Sequence, residues 1–115
     1  MSVKPWLGSI REPTGYIKPP LKFDEKPTVQ IKLDHVHGYR SKDCRNNMRY
    51  LKSGSIVYNV AALGVVMDTN TRIQKYFSHH TSDITAIEVH PDGMHVVTGD
   101  LAKIPLVCIW NSNTM

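Results

Sequence analysis

A chain of 115 residues with 41% hydrophobic side chains can build one small cored domain, and its two cysteines, neither in a Cys-x-x-Cys pair, exclude a disulfide scaffold and suit a reducing compartment. The opening MSVKPWLGSIREP lacks the apolar stretch of a secretion signal and no run is long enough to cross a bilayer, so a soluble intracellular protein is expected. The net charge of +4 is uneven: residues 1–53 hold eleven Lys or Arg against five acids, while the remainder is net −2, so the basic front suits an acidic partner.

Residues 1–27 contain Pro5, Pro13, Pro19, Pro20 and Pro27, with Gly8 and Gly15 between them. Such spacing forbids a helix and favours an extended, polyproline-like path. Trp6, Leu7, Ile10, Tyr16, Ile17, Leu21 and Phe23 recur through it, more large apolar groups than a merely solvated leader carries. The segment reads as an arm that lies in a groove, on a partner or on its own domain.

Over residues 28–33, Val29, Ile31 and Leu33 alternate with Gln30, Lys32 and Asp34, the pattern of a strand with one buried face. His35 and His37 would sit on that strand and share a face. Gly38 interrupts it, and Arg40, Lys42, Arg45 and Arg49 crowd the loop that follows. Residues 48–51 resume an extended pattern and Ser53-Gly54 turns the chain. Residues 55–60 and 64–68 then read as two strands joined by Ala61-Ala62-Leu63. With residues 72–77 as an outer strand, the expectation is an irregular, incomplete sheet.

The stretch from Tyr76 to Trp110 is clearer. Alternations at residues 84–89, 95–98 and 106–110, the first two separated by Pro91-Asp92-Gly93, make a three-stranded antiparallel meander. His79-His80 precedes its first strand and Trp110-Asn111 closes its third. That is the layout of a WD40 propeller blade, opened by Gly-His and closed by Trp-Asp. In such blades a His before the first strand, a Ser or Thr on the second and the Trp of the third are linked by hydrogen bonds. By position these are His80, Thr98 and Trp110. An Asp in the following turn often joins them; Asp100 stands at the start of a connection longer than usual, and its membership is left open. Buried polar groups must find partners, so this set holds the fold rather than doing chemistry. A propeller needs about four to eight blades of roughly 40 to 45 residues, so the chain is expected to be the front of a larger one, with open sheet edges.

The segment HGYRSKDCRNNMRYLKSGSIVYNVAALGVVMD carries Gly38-Tyr39-Arg40, then Asp43-Cys44-Arg45-Asn46-Asn47, then a Gly turn and a hydrophobic strand pair. It closely resembles the HELP motif of the echinoderm microtubule-associated protein-like family. The following QKYFSHHTSDITAIEVHPDG resembles that family's first WD repeat, and the Lys4-Pro5-Trp6 leader is similar to its approach to the motif. The resemblance implies an all-β, partial WD40-type β-propeller: a Pro-rich arm over 1–27, the HELP motif over 28–75 and an incomplete first blade over 76–115. It also implies two fused propellers in the whole protein, binding to tubulin or microtubules, and a place in the cytoplasmic cytoskeleton or, for some members, the ciliary or flagellar axoneme. The residues expected to meet tubulin are Lys4, Trp6, Arg11, Tyr16 and Lys18 of the arm and Arg40, Lys42, Arg45 and Arg49 of the loop. Other microtubule-associated or axonemal proteins are further expected partners. The alternative is a WD40 scaffold or adaptor that docks other proteins.

Chemistry finds little footing. His35-x-His37 could present two imidazoles to a metal, yet no third or fourth ligand is suggested nearby. Cys44, between Asp43 and Arg45, reads as a packed motif residue rather than an activated thiol. There is no phosphate-cradling glycine loop and no nucleophile elbow. No catalytic residue, cofactor or metal is therefore expected. A nucleic-acid partner would want a recognisable module with interleaved surface aromatics, which the basic front lacks.

Overall fold

The computed structural model describes Gly8, residues 11–17, Lys26 and residues 28–115, and the chain divides into two compact units, Met1–Lys32 and Leu33–Met115. In the first unit the expected extended path is interrupted. The Tyr16 N–H donates to the Pro13 carbonyl across 3.0 Å, and Gly15, at φ +85°, takes the third place of that turn. A turn of this kind needs positive φ there, which glycine adopts without steric cost.

Among the described residues every regular element is a strand. In the second unit, β1 (Met48–Tyr50), β2 (Ile56–Val60), β3 (Leu63–Met67) and β4 (Gln74–Phe77) form one antiparallel sheet in the order β1-β2-β3-β4. The expected irregular sheet is thus a regular four-stranded meander. Its central hairpin closes with Val60 opposite Leu63, and Ala61 takes φ +48° between them, a conformation that costs an L-residue about 1–2 kcal/mol.

The alternation at residues 28–33 builds no strand, which corrects the sequence expectation; Ile31 is fully exposed and Val29 nearly so. Period-two spacing makes a strand only where a neighbouring backbone satisfies its polar groups, and none does so among the described residues. His35 and His37 lie just beyond, likewise outside any strand. Residues 34–36 reach β4 through side chains instead. Val36 N–H donates to Gln74 Oε1 at 2.8 Å, Gln74 Nε2 donates to the Val36 carbonyl at 3.1 Å, and the Tyr76 hydroxyl lies 2.8 Å from the Asp34 carbonyl. One amide side chain stands in for a paired strand.

The second sheet is β5 (Ile84–Val89), β6 (His95–Asp100) and β7 (Val107–Asn111), antiparallel in that order, with one register shift between Ile84 and Ala86. The Pro91-Asp92-Gly93 turn lies where expected. Asp92 Oδ1 accepts the N–H groups of Met94 and His95 at 2.8 and 3.0 Å, and Gly93 has φ +73°. Val107 and Ile109 on β7 remain exposed.

The two sheets face each other across one core. Leu51, Val57, Val66 and Phe77 from the first pack against Ile87, Val96 and Trp110 from the second. Hydrogen bonds fix the register between them. Ile84 N–H donates to the Ala61 carbonyl at 2.8 Å, Asn59 Nδ2 donates to the Ile84 carbonyl at 2.8 Å, and Lys52 N–H donates to the Gly93 carbonyl at 3.0 Å. The strained turn at Ala61 is therefore held in place by the first residue of the next sheet.

Candidate functional site

Four buried side chains link the strands of the second sheet. Trp110 Nε1 donates to Thr98 Oγ1 at 3.1 Å, Thr98 Oγ1 lies 2.7 Å from His80 Nε2, and His80 Nδ1 lies 3.0 Å from Asp100 Oδ2. A carboxylate only accepts, which places a hydrogen on Nδ1. In the neutral ring Nε2 is then an acceptor, so the Thr98 hydroxyl donates to it and uses its oxygen to accept from the indole. Every donor and acceptor in the line is satisfied in one direction. Both His80 and Asp100 side chains are closed to solvent, so the set can brace the blade but cannot reach a substrate.

Asp100 belongs to this set, the point its spacing left open. The connection after it is long because it folds back around the carboxylate: Leu106 N–H donates to Oδ1 at 2.9 Å and Ala102 N–H at 3.3 Å. The Leu106 amide, followed by His80 and the Ala102 amide, holds the Asp100 carboxyl below the usual carboxylate range, against the opposite pull of burial.

The loop over residues 40–47 is tied at its base. Tyr39 Oη donates to Asn47 Oδ1, and Asn47 Nδ2 donates to the Arg40 carbonyl. Arg40 grips Asp43 with two parallel bonds, Nε to Oδ1 at 2.7 Å and Nη2 to Oδ2 at 2.6 Å, and sends Nη1 to Asp83 Oδ2 at 2.6 Å. Its hydrogen bond to Asp43 leads the effects that raise the guanidinium pKa above the ordinary arginine value, and Asp43 is lowered in return. Arg49 makes a similar fork to Glu88, with Nε–Oε1 and Nη2–Oε2 both 2.9 Å, and lowers the Glu88 carboxyl. Asp83 immediately precedes β5 and Glu88 lies within it, so Arg40 of the loop and Arg49, which the structure places on β1 rather than in the loop, brace one sheet on the other. Cys44 and Asn47 are buried pins, while Lys42 and Arg45 project to solvent.

The remaining candidates are scattered. Arg11 and Tyr16 are exposed in the first unit; Lys4, Trp6 and Lys18 lie outside the described residues. The rings of His35 and His37 are neighbours, with centroids 4.6 Å apart, but no group of three or more metal-ligating side chains occurs among the described residues. Sequence reasoning missed Asp83 and Glu88 as partners of the arginines, and Gln74 as the holder of residues 34–36. Nothing in their local sequence marks them, since the pairs are 38 to 43 residues apart.

Residues 26–65 match the HELP motif. The chain is 41% identical over 77% of its length to the 77 kDa echinoderm microtubule-associated protein of Strongylocentrotus purpuratus, of which it covers 14%. It is 33% identical over 99% of its length to the ciliary WD repeat-containing protein ctxp80 of Euplotoides octocarinatus, covering 18%, and 36% identical over 79% to echinoderm microtubule-associated protein-like 1 of Homo sapiens, covering 12%. It therefore spans less than a fifth of the length of these relatives.

Proposed function

Since the chain belongs to the echinoderm microtubule-associated protein-like family, we propose that it is part of a microtubule-associated structural protein, not an enzyme, and binds tubulin through its basic arm and loop. The observation that carries this reading is the identity of 36–41% to relatives named as microtubule-associated, sustained over more than three quarters of the chain. The surplus of positive charge in residues 1–53 supports it, because it favours encounter with an acidic filament. Arm residues Lys4, Trp6, Arg11, Tyr16 and Lys18 supply charge and apolar anchors, and the loop adds its exposed cations. The cytoskeleton is the place this implies, and the ciliary relative extends it to the axoneme.

The test is co-pelleting of the full-length protein with microtubules across a salt series, beside a form lacking residues 1–23 and a Trp6→Ala, Tyr16→Ala double variant. Weaker binding of both altered forms, with the truncation also flattening the salt dependence, is expected. Unchanged binding by both would remove the arm from the contact. The adaptor reading draws support from the internal pairing of Arg40 and Arg49, which withdraws two cations from any partner. It predicts recruitment to microtubules only when a third protein is supplied.

A further inference from the structure

The basic loop is not uniformly available, and its geometry separates cations that hold the fold from cations offered outward. Arg40 is largely covered, with its side chain 16% exposed, and three of its nitrogens are bonded to the carboxylates of Asp43 and Asp83. Arg49 is 29% exposed and its fork is filled by Glu88. Three carboxylates thus hold two of the four cations. Lys42 and Arg45 have no ion-pair partner among the described residues, and both are exposed.

Between and beside them the backbone is fixed. Cys44 and Asn47 are buried, Asn46 is held at φ +53° with its carbonyl accepting Arg49 Nη1 at 2.9 Å, and the Arg40–Asp43 fork spans the stretch that carries Lys42. A loop tied at this many points loses little freedom when its exposed side chains are engaged. We propose that Lys42 and Arg45 are the contact cations of the HELP loop, meeting paired carboxylates on an acidic protein surface, and that Arg40 and Arg49 take no part in that contact. Two exposed cations without an ion-pair partner among the described residues suit individual Asp or Glu side chains.

The inference rests on the reading of microtubule association for its biological partner, and two assays keep the two apart. In the first, the full-length protein is eluted by salt from immobilised poly-glutamate. The Lys42→Ala, Arg45→Ala variant elutes at clearly lower salt than the parent, whereas a control pair of equal charge change, Lys75→Ala with Lys103→Ala, shifts elution by less than half as much. An equal shift for the two pairs overturns the proposal. So does a fall in melting temperature of the Lys42→Ala, Arg45→Ala variant to match Arg40→Ala, because that would make them part of the frame. In the second assay the same proteins are co-pelleted with microtubules, and the Lys42→Ala, Arg45→Ala variant binds about five-fold more weakly, the scale of two exposed ion pairs. If the parent pellets and the variant matches it, the loop contact falls while microtubule association stands. If the parent does not pellet but the poly-glutamate difference persists, microtubule association falls while the acidic-surface contact stands.

Discussion

Trp110 lies flat on Phe77, ring centroids 4.7 Å apart and planes 6° from parallel, so that the penultimate residue of β7 is seated on the last residue of β4. Gly64 makes room for it: a Cβ there would stand 3.0 Å from Trp110 Cζ2 and 3.4 Å from Phe77 Cβ. Neither neighbour is a flexible chain end. Gly64→Ala is expected to cost about 1–3 kcal/mol by overpacking, and Trp110→Ala about 3–5 kcal/mol by opening a cavity. Urea unfolding of the full-length variants measures both; a neutral Gly64→Ala would mean the indole is free to shift.

The Thr98 hydroxyl serves two partners at once, donating to His80 and accepting from Trp110. Thr98→Val keeps the shape and strands both partners, at about 1–3 kcal/mol for each buried group left unsatisfied. Thr98→Ser keeps the hydroxyl and loses one methyl, worth about 1 kcal/mol. Serine should therefore be the milder change despite being the worse steric match. Equal stabilities of the two variants would show that the hydrogen bonds are not what the threonine contributes.

Asp100, Asp43, Glu88 and Asp92 all have carboxyl groups held below their ordinary range, Asp92 chiefly by the His95 amide. A depressed folded-state pKa means that the unfolded chain binds the proton first as acid is added. The stabilisation is complete above the unfolded value, near pH 4, and is lost as pH falls through the folded one. Asp100→Asn should be less stable than the parent at pH 7, and the difference should shrink steadily toward pH 2. A gap that stays constant across a pH series of denaturant midpoints would remove Asp100 from this linkage.

Two glycines with similar backbone angles should respond differently. Gly93, at φ +73°, would place a Cβ 2.6 Å from Lys52 Cβ and 3.0 Å from its backbone nitrogen, whereas Gly54, at φ +86°, faces open space. Gly93→Ala adds a wedge between the sheets to backbone strain and should cost more than about 2 kcal/mol. Gly54→Asn, which tolerates positive φ, should cost less than about 1 kcal/mol. Thermal denaturation ranks them, and the reverse order would contradict the close approach at Lys52.

Residues 34–36 hang on Gln74, so Gln74→Leu should release them and leave the sheet intact. Hydrogen exchange should show lost protection at the Val36 amide, with β2 and β3 unchanged. Retained protection at Val36 would mean that other contacts secure the segment.

Local pattern was enough to read the second sheet, because alternation, a Pro-Asp-Gly turn and the landmark residues all lie within thirty-five positions of one another. It served poorly where a structure depends on distant partners. Val29, Ile31 and Leu33 have the spacing of a strand, but whether such spacing becomes one is decided by a neighbouring backbone, and none pairs with them among the described residues. The loop arginines look like a binding patch until Asp83 and Glu88 are brought to them from about forty residues away. Asp100 was ambiguous because a count of intervening residues does not register a connection that wraps its own first carboxylate. The turn at Gly15 was within reach, since Pro13-Thr14-Gly15 already carried its chemistry, but the density of prolines argued for extension instead.

Ile84 presents both its backbone groups to the hairpin that precedes it, the N–H to Ala61 and the carbonyl to Asn59. The acceptor and the donor are in place as soon as β2 and β3 have paired, and β3 ends at Met67, seventeen residues ahead of Ile84 in the chain. A chain emerging from the ribosome amino end first can therefore finish one sheet and use it as a mould for the next. Growth of such an architecture is vectorial: each new layer inherits its alignment from the one already set, and an error in the first hairpin would be copied forward rather than corrected.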